Sequence, residues 1–150
     1  MIEPGTKAPD FTLRDQDGNK VSLADFAGRK LLLVFYPLDF SPVCTDQLSV
    51  YQEVLGEIEA KGATVLGISV DSGFAHAAFR DKLNLTFPLL ADFKPKGEVS
   101  RAYGAWIEKA DHSNRSLVLI DEGGKVEWSY EAPSPLEVPG ANLIFDALGS

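Results

Sequence analysis

Cys44 is the only cysteine in the 150-residue chain, and the residues around it are of the types that make a sulfur reactive. The segment reads Tyr36-Pro37-Leu38-Asp39-Phe40-Ser41-Pro42-Val43-Cys44-Thr45-Asp46-Gln47. Ser41 is a good N-cap and Pro42 suits the first helical position, so Cys44 falls in the first turn of a helix. There its sulfur faces unpaired backbone N–H groups, and the positive helix end favours the thiolate, which is the nucleophile. Asp39 and Asp46 oppose that effect, so a nucleophilic Cys44 requires a permanent cation close by. Arg115 is the candidate. It opens the strand Ser116 to Ile120 after a polar loop, and an arginine there can lean over a neighbouring strand's end and offer its fork of N–H donors. Taken singly, each residue has a plainer reading: an arginine in a polar loop is usually solvated, and a lone cysteine is commonly a small, inert core residue. Their joint placement argues for chemistry.

The elements that must position these residues follow from the pattern. Phe11-Thr12-Leu13 and Val21-Ser22-Leu23 alternate around Asp15-Gln16-Asp17-Gly18-Asn19, which predicts an N-terminal hairpin. Leu31 to Tyr36 is apolar on both faces, as a central strand would be, and Pro37 ends it. Leu48, Tyr51, Val54, Leu55 and Ile58 recur at helical spacing until Lys61-Gly62. Thr64 to Val70 reads as a second buried strand and Phe74 to Leu83 as a helix, so a parallel pair with a crossover is implied. A short extended piece at Phe87 to Leu90 and a short helix over Glu98 to Tyr103 follow, separated by Lys94-Pro95-Lys96. Leu117 to Ile120 and Val126 to Glu131 flank Asp121-Glu122-Gly123-Gly124 as a hairpin, and Pro133-Ser134-Pro135 precedes a terminal helix carrying Leu143, Ile144, Ala147 and Leu148. The expected fold is α/β, a mixed central sheet flanked by helices, with residues 1–150 forming a single domain. Ligands in such folds bind beyond the carboxyl ends of parallel strands, and Cys44 directly follows one.

Composition narrows the function. With 45% hydrophobic and 24% charged residues, the chain has the mixture of an ordinary globular protein. Its net charge of -8 repels phosphate backbones and anionic lipid, so neither nucleic acid nor a membrane is an expected partner. The N-terminus lacks a secretory pattern and the longest apolar run is too short to span a bilayer, giving a cytoplasmic location as the expectation. One cysteine allows no internal disulfide and no cysteine-built zinc site. His76 and His112 read as surface residues; neither a metal nor a cofactor is expected. Trp106 and Trp128 read as core or interface residues, and Tyr103 with Trp106 as contacts in a homodimer.

Pro37, Ser41 and Cys44 together reproduce Pro-x-x-x-Thr/Ser-x-x-Cys, and on this motif the chain resembles the peroxiredoxin family. Ala8-Pro9-Asp10-Phe11, Asp39-Phe40, Phe87 to Asp92 and Asn114-Arg115-Ser116 extend the resemblance nearly end to end. Phe93 to Gly104 is most similar to the one-cysteine alkyl hydroperoxidase E group, with the bacterioferritin-comigratory group second. The resemblance implies a thioredoxin-like fold and thiol-dependent reduction of hydrogen peroxide and organic hydroperoxides. It also implies roles: Cys44 as peroxidatic nucleophile, Ser41 donating its hydroxyl to the peroxide, Arg115 holding thiolate and peroxide together, Pro37 shielding the sulfur from water. Gln47 departs from the acidic residue many relatives carry three positions after the cysteine, which leaves the support of Arg115 open. With no second thiol in the chain, the oxidised sulfur must be reduced by an external one. That donor is a low-molecular-weight thiol with a glutaredoxin- or mycoredoxin-like protein, or a thioredoxin. Two rival readings are a thiol-disulfide oxidoreductase, which would need Cys-x-x-Cys where this chain has Ser41-Pro42-Val43-Cys44, and a redox-inert binding module on the same fold.

Overall fold

The computed structural model describes residues 1–149. A seven-stranded sheet runs through it in the order β2-β1-β5-β4-β3-β8-β9, with β1 Thr12–Arg14, β2 Lys20–Ser22, β3 Lys30–Phe35, β4 Ala63–Ser69, β5 Leu89–Ala91, β8 Ser116–Ile120 and β9 Val126–Glu131. The helices are α1 Pro42–Glu53, α2 Leu55–Ala60, α3 Gly73–Leu83, α4 Glu98–Ala102 and α5 Ala141–Ala147. The sheet is mixed as expected: β3 and β4 pair in parallel, with Leu33 opposite Leu66, while β3 and β8 are antiparallel, with Leu33 opposite Val118.

The apolar run of β3 is central because both its faces are covered. Leu32, Val34 and Tyr36 join one core cluster with Cys44, Leu48, Tyr51, Ile58, Phe79 and Ile144. Leu31, Leu33 and Phe35 join the other, with Phe11, Val99 and Tyr103. This is the period-two alternation of a strand buried on two sides. One face is therefore capped by α1, α2, α3 and α5, the other by α4 and the N-terminal segment. The expected hairpins are present as β1–β2 and β8–β9. Among the described residues no helix is long and apolar enough to cross a membrane.

Three differences from the sequence reading bear on the site. The helix expected to continue to Lys61 breaks at Val54, where φ -105 and ψ 8 leave the helical region. A small additional sheet pairs β6 Trp106–Ile107 with β7 His112–Ser113, unforeseen because two-residue strands carry no periodicity. Tyr103 is fully buried and donates its hydroxyl to the Pro9 carbonyl at 2.7 Å, so it belongs to the core and offers no surface to a second subunit. Trp106 is half-buried under the Arg101 guanidinium, 4.4 Å from its ring centre. Trp128 packs against the core and stacks on Tyr130.

Candidate active site

Strand β3 delivers the chain to the site and α1 carries it away. Tyr36 and Pro37 are buried where β3 ends. Phe40 adopts the left-handed region at φ 68, a conformation costing about 1–3 kcal/mol for a non-glycine residue. Tertiary contacts hold it there: its ring lies 5.1 Å from that of Phe79, and the Lys82 ammonium sits 5.7 Å above it. The reversal puts Ser41 at the N-cap with Pro42 as the first helical residue, as the sequence implied. The Ser41 hydroxyl makes no capping bond; it donates to the Leu38 carbonyl at 3.1 Å.

Cys44, Gln47, Leu48 and Tyr51 form the buried face of α1. Arg115, reaching over from the start of β8, donates from Nη1 to Cys44 Sγ at 3.0 Å and to Gln47 Oε1 at 2.7 Å. Its Nε donates to the Pro135 carbonyl. Arg115 is 2% exposed and Cys44 0%. No carboxylate among the described residues pairs with Arg115. A buried guanidinium without a counter-charge is costly, and the Cys44 sulfur is the side-chain atom its Nη1 reaches beside Gln47. The open question about Gln47 thus has a geometric answer: its amide oxygen accepts from the arginine, and its Nε2 donates to Tyr51 Oη at 3.2 Å. Tyr51 donates in turn to the Pro139 carbonyl at 2.6 Å. Burial pushes the Tyr51 hydroxyl up to about 12, against smaller downward pulls from the Gln47 bond and the Arg115 charge.

The two aspartates expected to oppose the thiolate are disposed of differently. Asp46 is exposed, where water screens it. Asp39 is buried and turned into a second network: Tyr36 Oη donates to its Oδ1 at 2.6 Å, and His76 Nδ1 lies 2.7 Å from its Oδ2. His76 is therefore no surface residue. It is 0% exposed, and its Nε2 is 3.0 Å from the Leu90 carbonyl, so both ring nitrogens face acceptors. Asp71 joins this network by accepting from the Asp39 backbone N–H at 2.8 Å, its carboxyl raised above the usual range by burial. Burial and the neighbouring Asp39 charge also hold the Tyr36 hydroxyl protonated, well above the ordinary tyrosine value. Asp39, Asp71 and His76 approach one another closely enough to resemble a metal-binding group, but both Asp39 oxygens and both His76 ring nitrogens already have partners within the protein. His76→Leu is expected to destabilise the fold by about 3 kcal/mol, since it leaves the Asp39 carboxylate buried with one fewer partner. A chemical-denaturation midpoint equal to that of the unsubstituted protein would show that Asp39 does not depend on this histidine. His112 is half-buried, with Nδ1 2.8 Å from the Ser113 carbonyl.

The sequence model of the AhpC/TSA family matches residues 4–129, a span that includes Cys44 and Arg115. The chain belongs to the AhpC/TSA family. This AhpC/TSA protein is 40% identical to alkyl hydroperoxide reductase E of Mycobacterium tuberculosis over 151 residues, covering 100% of this chain and 98% of that one. It is 37% identical over 133 residues to the chloroplastic peroxiredoxin Q of Oryza sativa subsp. japonica, covering 86% of this chain and 59% of that one. Among solved structures, AhpC of Enterococcus faecalis superposes with a TM-score of 0.90 at 25% identity, covering 99% of this chain and 91% of that one. The peroxidoxin BcpB of Mycobacterium tuberculosis gives 0.86 at 25% identity, covering 99% and 97%. The fold is thus the thioredoxin-like one of the peroxiredoxins, and the sequence-level resemblance holds. Of the residues singled out in this AhpC/TSA protein, Cys44 and Arg115 touch, Pro37 lies buried at the end of β3, and Ser41 faces its own loop. Tyr51, read from the sequence only as part of a helical apolar face, and His76, read as a surface residue, both belong to buried networks of the site. For Tyr51 a signal existed, because positions 44, 47, 48 and 51 share one face of a helix.

Proposed function

We propose that this protein is a one-cysteine thiol peroxidase in which Cys44 reduces hydrogen peroxide and organic hydroperoxides and an external thiol restores it. The observation that carries this reading is the 3.0 Å bond from Arg115 Nη1 to the sulfur of the chain's single cysteine. A thiolate held there attacks the terminal oxygen of the hydroperoxide. The S–O bond forms as the O–O bond breaks; the departing alkoxide or hydroxide takes up a proton, and the sulfur, oxidised by two electrons, is left as a sulfenic acid. Negative charge moves from sulfur to the leaving oxygen during this step, so a guanidinium beside both lowers the barrier. In this reading the Ser41 hydroxyl turns from the Leu38 carbonyl toward the peroxide, and Pro37 limits water at the sulfur. Because Cys44 is fully buried, peroxide reaches it when the surrounding chain opens a path to the sulfur.

The second half of the cycle consumes two thiol equivalents. One thiol attacks the sulfenic sulfur, releasing water and forming a mixed disulfide; a second thiol releases Cys44 and takes the oxidised equivalent away. A glutaredoxin- or mycoredoxin-like protein acting with a low-molecular-weight thiol, or a thioredoxin, can supply these equivalents, and the reducing cytoplasm is the compartment that holds them. A homodimer is the assembly this reading favours, on a surface other than Tyr103: Phe74, 92% exposed, and Phe93, 54% exposed, line one surface depression that a second copy would cover. To test the chemistry, the reduced protein is mixed with one equivalent of hydroperoxide and a sulfenic-selective carbon nucleophile, and the product is weighed. The adduct is expected on Cys44. Hydroperoxide consumption without an adduct or any oxidised form of Cys44 would overturn the assignment.

A further inference from the structure

The bonds around Arg115 form a chain whose direction is fixed from both ends. The Pro139 carbonyl can only accept, so Tyr51 must donate to it. Its hydroxyl hydrogen thus committed, Tyr51 meets Gln47 as an acceptor, and Gln47 must present its NH2 to the tyrosine. The amide oxygen is then the end that faces Arg115, whose guanidinium can only donate. Reversing the amide would set donor against donor at Arg115 and leave the phenol with nothing to accept.

We propose that Gln47 and Tyr51 are positioning residues for peroxide reduction, Tyr51 setting the orientation of the Gln47 amide so that its oxygen pins the Arg115 guanidinium onto Cys44. The inference rests on the reading of Cys44 and Arg115 as the reacting pair. Four observations support it. Gln47 and Tyr51 are 0% and 1% exposed, so water does not substitute for a missing partner. Burial keeps the Tyr51 hydroxyl protonated far above neutral pH, so it remains a donor throughout the working range. The one Nη1 that reaches the sulfur also reaches Gln47, so losing the second contact frees the first to swing. Finally, an amide oxygen steers the guanidinium without neutralising it, which leaves its full charge for the sulfur and for the leaving oxygen.

An amide has one accepting end and needs to be oriented; a carboxylate accepts at both oxygens and does not. This difference supplies a test that mere packing would not pass. The second-order rate constant for oxidation of Cys44 by hydrogen peroxide is measured by stopped flow for Tyr51→Phe, for Gln47→Glu and for the two combined, with thermal melts checking the fold. Tyr51→Phe alone is expected to slow oxidation about tenfold, the scale of one lost buried hydrogen bond. In the Gln47→Glu background the same tyrosine substitution is expected to change the rate less than about twofold, since no orientation is left to lose. An equal slowing in both backgrounds, or none in either, would overturn the proposal. If Tyr51→Phe does not fold, Gln47→Met with Tyr51 intact takes its place: it removes both ends of the amide, and a rate unchanged from the unsubstituted protein would be just as decisive. Failure of the underlying reading looks different, because the unsubstituted protein itself would then yield no oxidised Cys44.

Discussion

Cys44→Ser is expected to lower hydroperoxide turnover by at least about 10³-fold, to the level of the uncatalysed reaction with the added thiol. The substitution is nearly isosteric at a buried position beside Arg115, so the fold should survive. The chemistry should not, because a serine hydroxyl neither ionises near neutral pH nor accepts oxygen from a peroxide. The measurement is consumption of hydroperoxide with an excess of external thiol, beside a melting curve for each protein. Since the chain has no second cysteine, no other thiol could maintain turnover, and retained activity would remove the protein from the one-cysteine peroxidases.

The second large effect is expected from Arg115→Met. Methionine fills much of the space of the arginine stem but gives up the donors to Cys44, to Gln47 and to the Pro135 carbonyl. A thiolate on Cys44 would then be buried without a counter-charge, and the leaving oxygen would have no cation beside it. Oxidation of Cys44 should slow by about 10²–10³-fold, the scale seen when a charge-stabilising donor is removed from a reacting centre. Arg115→Lys should fall between, because a lysine keeps the charge but lacks the planar fork that reaches three acceptors at once. Stopped-flow oxidation at several pH values measures both. A rate constant for Arg115→Met equal to the starting value would take Arg115 out of the reaction.

The parts of the site that were legible beforehand are those fixed locally. Ser41 and Pro42 announced the start of α1, the apolar run of β3 announced the central strand, and together they placed Cys44. Arg115 could be singled out because a donor was chemically required and a strand began beside it. The remainder depends on contacts between residues far apart in the chain. His76 looked like a polar residue on an exposed helix because its partners, Asp39 and the Leu90 carbonyl, come from other elements. Its spacing to Phe79 and Leu83 on one helical face was the available sign that it points inward. Tyr103 was taken for an interface residue on its aromatic character, yet its hydroxyl finds the Pro9 carbonyl inside the core. The use of Pro135 and Pro139 as acceptors had no sequence signal, since a loop's carbonyls are the same whatever the residue.

The complete burial of the single thiol carries a consequence for which molecules can meet it. A small oxidant needs only a brief, narrow breach, whereas a bulky alkylating reagent or another protein's thiol needs the surrounding chain displaced far enough to admit a side chain. Cys44 should therefore discriminate by size as well as by chemistry, ignoring large electrophiles that a surface thiol would consume at once.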